Sequence, residues 1–334
     1  MKQKSVSFII IILLFLAGAF MPAGLKQYHL NMLTEIIIFS LYAVSYNLLL
    51  GYAGLLSFGH AMFFGLGAFM TAVAIIHIPG LALWNAILIG LLSTIVAGFV
   101  ISSLLLRTKG AYFALLTLAF NSLFYAVATK WHSVTGGDDG LSITRPILNL
   151  GVTSISIAKL TNFYYLTLIV VGAAIVFCWY FTHTAMGKTV LLMRENEERM
   201  KFLGYNTNIS RFLLFTFTGA VAGLAGTFYT LHFQFVSISA ISVDMTTTVL
   251  LMTFVGGTKT FWGPILGAFV YTILQNYLSN ITDRWPLVMG FIFVFMVLFL
   301  PGGLSEVIMN SRQRLFGKKN HNGGQSSAIE EVTS

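Results

Sequence analysis

Long apolar runs separated by short polar segments make up most of this chain. They cover residues 6–23, 31–50, 54–76, 83–106, 111–129, 162–181, 212–233, 243–257, 263–280 and 286–300. Roughly 20 apolar residues cross a bilayer core as a helix, and a helix satisfies its own backbone polar groups there. The pattern predicts an all-α, polytopic transmembrane bundle of about ten spans, or eight to ten allowing for the short runs. The eighth and tenth runs are short. The eighth is expected either to re-enter the bilayer or to form one bent element with the ninth. The period-two alternation of a membrane barrel is absent, since Phe291 to Leu300 is solidly apolar.

The polar segments sort by charge. If Lys2 and Lys4 lie inside, alternation puts the Arg107–Lys109 turn, segment 182–211 and tail 301–334 inside, and loop 130–161 outside. Segment 182–211 holds Lys188, Arg194, Arg199, Lys201 and Arg211, and the tail holds Arg312, Arg314, Lys318 and Lys319. All strongly basic segments then share one side, as the positive-inside bias requires. Both termini are expected to be cytoplasmic. Residues 1–316 read as one transmembrane domain, and 317–334, rich in Gly, Asn, Ser and Glu, as a disordered tail. Residues 1–23 also resemble a signal peptide. A retained first helix is the preferred reading, because Met21-Pro22-Ala23 makes a poor cleavage site.

Composition supports the pattern. The 334 residues are 57% hydrophobic and 9% charged, against about 25% charged in soluble domains. The net charge of +8 follows from topology and needs no nucleic acid. The single cysteine, Cys178, and the scattered histidines exclude a disulfide framework and give no paired spacing for a metal site. No catalytic set of acids, bases or nucleophiles converges.

Three segments carry candidate function. Gly51-Tyr52-Ala53-Gly54-Leu55-Leu56-Ser57-Phe58-Gly59-His60 joins the second and third spans. Closely spaced glycines break a helix, and at membrane depth such breaks line or gate a path or allow close packing. Gly51, Gly54, Ser57, Gly59 and His60 are the candidates for the path. His60 has the alternative of a buried, hydrogen-bonded core histidine. The loop Gly136-Gly137-Asp138-Asp139-Gly140 is expected to be a tight turn, or else an acidic rim facing a substrate or its carrier protein. Segment 185–206 is too polar to span. It reads as an amphipathic helix ending at Gly204, with Met193, Met200, Phe202 and Leu203 on its apolar face. The acidic groups of Glu195, Glu197 and Glu198 favour a protein partner over an anionic lipid surface. Gly187-Lys188-Thr189 lacks the first glycine of a phosphate-binding loop, because Thr182 occupies that position. A second cluster, Gly256 to Gly267, echoes the first, by repetition or by chance. Gly219/Gly223 and Gly263/Gly267 have helix-packing spacing.

Taken in order, these segments resemble the branched-chain amino acid ABC-importer permeases of the LivM type. The resemblance rests on Gly51 to Ala68, on Arg107 to Ala114 through Phe120, on Thr135 to Leu141, on Arg194-Glu195-Asn196-Glu197 through Gly204, and on Ala222 to Gly226 with Gly256 to Gly267. It covers about residues 30 to 304. It implies an inner-membrane subunit without cofactors of its own, using ATP through two cytoplasmic P-loop ATPases. A second related permease would pair with it, and an external binding protein would deliver leucine, isoleucine or valine. Arg194, Glu195, Asn196, Glu198 and Gly204 would form the ATPase-coupling segment. Arg199 and Met200 stand where that family has small residues, and Thr258-Lys259 also departs from its pattern. Urea and short-amide importers share much of this pattern. An ion-driven secondary carrier is the rival class, and it would need intramembrane carboxylates. Only Glu35 and Asp244 qualify, and both fall at span edges in this reading.

Overall fold

A computed structural model describes residues 26–106, 108, 110–146, 148–149, 154–155, 159–300 and 302–307. The expected first span, the Arg107–Lys109 pair and the tail beyond 307 lie outside the described residues. Among the described residues, nine helices fall on the other nine apolar runs: α1 (Gln27–Asn47), α2 (His60–His77), α3 (Leu83–Leu105), α4 (Ala111–Lys130), α6 (Leu160–His183), α9 (Thr207–Phe233), α10 (Val243–Gly256), α11 (Gly263–Ser279) and α12 (Trp285–Phe299). A short α5 (His132–Thr135) follows α4, and α7 (Ala185–Glu195) and α8 (Glu197–Phe202) lie between α6 and α9. Among the described residues, six of these are long and apolar enough to cross a membrane: α1 with its extension to Tyr52, α2, α3, α4, α6 and α9.

Helix α1 is the axis of the bundle. Its most apolar stretch is 78% buried, against 28% for α4 and α6. It packs on α6, α9, α10 and α11, and its side chains meet those of α2. It is buried on every side around Leu41, Tyr42, Ala43, Val44 and Tyr46, all essentially inaccessible. Around it, Phe64 stacks on Phe39 and Tyr42, and Tyr229 closes on both phenylalanines. The periphery is apolar outward: Leu104, Phe291, Leu298 and Phe299 are exposed, as a lipid-facing surface requires.

Small residues set the closest crossings. A Cβ on Gly67 of α2 would strike the Gly223 backbone of α9, and one on Gly226 would strike the Phe64 carbonyl. Gly219 lies flat on the Phe63 ring, while Gly223 abuts Thr94 of α3. Gly263 and Gly267 let α11 close on Gly256 and Met252 of α10. Both sequence spacings of small residues are therefore packing faces.

The connecting segments gather at two ends. At one end lie 48–59, 184–206, 256–262 and 302–306, which carry Lys188, Arg194, Arg199, Lys201 and Lys259; this is called the basic end below. At the far end, β1 (Leu141–Ser142) pairs with β4 (Phe235–Val236), and Ile143 N–H donates to the Gln234 carbonyl at 2.9 Å. Between them in sequence, Leu148–Asn149 (β2) pairs with Ser154–Ile155 (β3).

Candidate functional site

The break between α1 and α2 is real and specific. Helix α1 widens into a π-helical turn, Leu48–Tyr52, and the chain then runs non-helically to Gly59. Its third span therefore begins at His60 and not near residue 54. Gly54 sits at φ +68°, a conformation that favours glycine. Tyr46 hydroxyl donates to the Ser57 carbonyl at 3.0 Å, and Gly59 N–H donates to Ser57 Oγ. Phe58 N–H donates to Thr117 Oγ1 of α4 at 3.2 Å.

Gly51, Ser57, Gly59 and His60 are all buried, whereas Gly54 is exposed. Ser45 gives its hydroxyl proton to the Tyr42 carbonyl at 2.6 Å. The 2.9 Å contact between Ser45 Oγ and His60 Nε2 therefore uses the His60 N–H as donor. The rings of Tyr42, Tyr46 and Phe63 enclose the imidazole. Within this chain His60 pins α2 to α1.

The second glycine cluster lies against the first. Asn47 Nδ2 donates to the Thr260 carbonyl at 3.2 Å. A side chain at Gly51 would collide with the Thr258 carbonyl. Gly257, at φ +103°, touches Gly302, and Lys259 pairs with Glu306 at 3.0 Å.

The amphipathic segment completes this junction. Arg194 Nη1 donates to the Gly51 carbonyl, and its aliphatic stem packs on Gly54. The segment is not one helix. Asn196 leaves helical geometry at φ −156°, ψ 100°, and its side chain accepts from Arg199 N–H at 2.9 Å, capping α8. Gly204 at φ +83° ends α8: its N–H bonds the Lys201 carbonyl and Tyr205 N–H bonds the Met200 carbonyl. That is the hydrogen-bond pattern of a Schellman C-cap. The sequence grouped Glu197 with the acidic residues expected to face a partner, but the structure turns it toward the bundle. Its carboxylate pairs with Arg211 of α9, pairs with Lys201 at 3.1 Å and accepts from Thr207. Met193 and Met200 are buried beneath the segment, while Glu195, Asn196, Glu198, Phe202 and Leu203 are exposed. Phe202, at 91% exposure, is a large apolar group turned wholly outward. Gly187-Lys188-Thr189 lies in the first half of α7, directly after the long helix α6. It thus lacks the strand and loop of a nucleotide site.

At the far end, Gly136, Gly137 and Gly140 all adopt positive φ around a short turn over Gly137–Asp139. Thr135 Oγ1 ties that turn to the Ala128 carbonyl at 2.6 Å, and Asp138 and Asp139 point outward. Sequence reasoning missed Arg145. Its Nε and Nη2 donate to the Leu231 and His232 carbonyls, both at 2.7 Å, and its guanidinium lies 4.2 Å over the Phe163 ring. It thus caps the carbonyl end of α9. Burial pulls its pKa down, and the carbonyls and ring compensate part of that cost.

These features define a multi-pass helical membrane protein whose polar, glycine-broken junction meets a surface-exposed amphipathic hairpin. Its family is shown by comparison: the chain belongs to the family described as branched-chain amino acid transport system / permease component, which matches residues 28–300. Among relatives, the high-affinity branched-chain amino acid transport system permease protein LivM of Escherichia coli strain K12 is 26% identical over 324 residues, covering 91% of this chain and 75% of that protein. Its Salmonella typhimurium counterpart is 25% identical, covering 85% and 71%. A probable branched-chain amino acid transport permease protein LivM of Methanocaldococcus jannaschii is 24% identical, covering 72% and 79%. No solved structure matches the chain.

Proposed function

We propose that this chain is a permease subunit of an ATP-driven importer that carries leucine, isoleucine or valine inward across a bacterial inner membrane. The observation that carries this reading is the α7–α8 hairpin. It is anchored to the bundle through Arg194 and Glu197 yet presents Phe202, Leu203 and Glu198 outward. An apolar group exposed amid charge suits a groove on a soluble partner. That partner is a pair of P-loop ATPases, which hydrolyse the ATP. Arg194, Glu195, Asn196, Glu198 and Gly204 form the coupling segment.

The basic end is the cytoplasmic end, supported by the clustering of Lys188, Arg194, Arg199 and Lys201 in one short segment. With an amino-terminal helix added, the bundle has about ten spans and both termini inside. Movement of the hairpin passes through Arg194 to Gly51. Gly51, Gly54, Ser57, Gly59 and His60 then act as an internal gate of an alternating-access path. A second permease subunit completes that path. Gly136, Gly137, Asp138, Asp139 and Gly140 form an outer rim on which an external binding protein docks. The substrate class is supported by the family and by the names of its relatives.

Affinity purification of the tagged chain from its native membrane in mild detergent tests this reading. A P-loop ATPase and a second hydrophobic permease are expected to accompany it. A chain that purifies alone and moves solute on an ion gradient contradicts it.

A further inference from the structure

Helix α10 begins inside the bundle and not at its far surface. The segment Ile238–Ile241 that leads into it packs on α2 and α4. Asn121 Nδ2 donates to the Ile241 carbonyl at 2.8 Å, and Asn121 is the eleventh of the twenty residues of α4. The Ile241 carbonyl therefore lies about halfway across the bundle. Gly65 of α2 confirms the level, because it abuts Ala240 and Ile241. Thr246, one turn into α10, accepts from the N–H of Ala61 near the start of α2, at 3.0 Å. Residue 244 is bracketed between these two fixed levels.

Asp244 therefore sits near mid-depth, although the sequence places it at the edge of a hydrophobic run. Its side chain is exposed, as is that of Thr247 one turn further along the same face. Beside them, Thr248 Oγ1 lies 3.5 Å from the Tyr271 hydroxyl. Among the described residues no cation pairs with Asp244. Glu35, the other carboxylate within a span, differs: it is half-buried.

A carboxylate turned toward hydrocarbon is costly, and such groups face a water-filled path or a partner. The solute proposed above is a zwitterion with one ammonium group, the complement of a lone carboxylate. We propose that Asp244 faces the translocation path and meets the ammonium group of the amino acid as it crosses, with Thr247 beside it. This rests on the importer reading given above.

The test uses the complete importer, purified with its partner subunits and reconstituted in liposomes. In a Cys178→Ser background, Asp244→Cys should react with a membrane-impermeant cationic thiol reagent. Leucine supplied with the binding protein should slow that reaction. Asp244→Asn should lower leucine uptake about tenfold, the loss of one charge-assisted hydrogen bond, while Asp244→Glu retains most of it. The second permease should still co-purify with Asp244→Asn. A thiol that does not react, or wild-type uptake by Asp244→Asn, overturns the proposal. Loss of the second permease from Asp244→Asn also overturns it, by making Asp244 an interface residue. A wild-type complex that moves no amino acid overturns the importer reading itself, and this site with it.

Discussion

Arg194, on the last turn of α7, donates to the Gly51 carbonyl at the π-helical end of α1. This one contact joins the exposed hairpin to the most buried helix of the bundle. A π-helical turn leaves carbonyls poorly satisfied, and such turns recur at functional sites. Arg194 supplies a donor from the segment between α6 and α9.

Arg194→Ala is therefore expected to separate hydrolysis from transport. ATP-driven uptake should fall about tenfold, the worth of one charge-assisted hydrogen bond, while hydrolysis by the assembled complex continues. Arg194→Lys keeps the charge but not the geometry of the guanidinium and should recover only part of the uptake. Equal loss of both activities would show that Arg194 serves assembly instead.

Glu197 and Glu198 are adjacent and should behave differently. The Glu197 and Arg211 side chains are only 17% and 12% exposed. Glu197→Ala leaves Arg211 partly buried and unpaired, at a cost of about 2 kcal/mol, visible as a lower midpoint of thermal unfolding in detergent. Glu198 is exposed, so Glu198→Ala should leave that midpoint unchanged and weaken ATPase docking and uptake. The opposite pattern would reverse the two roles.

Gly204→Ala forces a side chain into a left-handed conformation, at about 1 kcal/mol. Nothing crowds a Cβ there, so the strain stays local to the end of α8. Uptake should drop while the bundle remains folded by circular dichroism.

Arg145→Ala removes two hydrogen bonds and the stack on Phe163. The expected loss is about 2 kcal/mol of stability, read by chemical or thermal unfolding. The guanidinium remains charged throughout the working range of pH, so no pH dependence should accompany it.

Hydropathy located nine of the described helices to within a few residues, because lipid exposure forces continuous apolar runs. It misplaced the start of α2, since Ala53 to Gly59 is apolar enough to read as span but is held out of the helix by Gly54 and by bonds to Tyr46 and Thr117. It started α9 at residue 212, because the first turn is polar and capped by Asn206. The break at Asn196 carried a local signal, an Asn ahead of Glu197 and Glu198, which is a helix N-terminus pattern. Other relationships had no local signal at all. Contact between Asn47 and Thr260 joins residues 213 apart in sequence. The depth of Asp244 depends on packing of Ile241 against α2 and α4, which one-dimensional hydropathy does not encode.

The most direct test of the central claim is solute uptake by the purified complex in liposomes. With ATP inside and the binding protein outside, radiolabelled leucine should accumulate, and accumulation should stop when the nucleotide is withheld. Accumulation that ignores ATP and follows an imposed ion gradient would contradict the account and make this chain a secondary carrier.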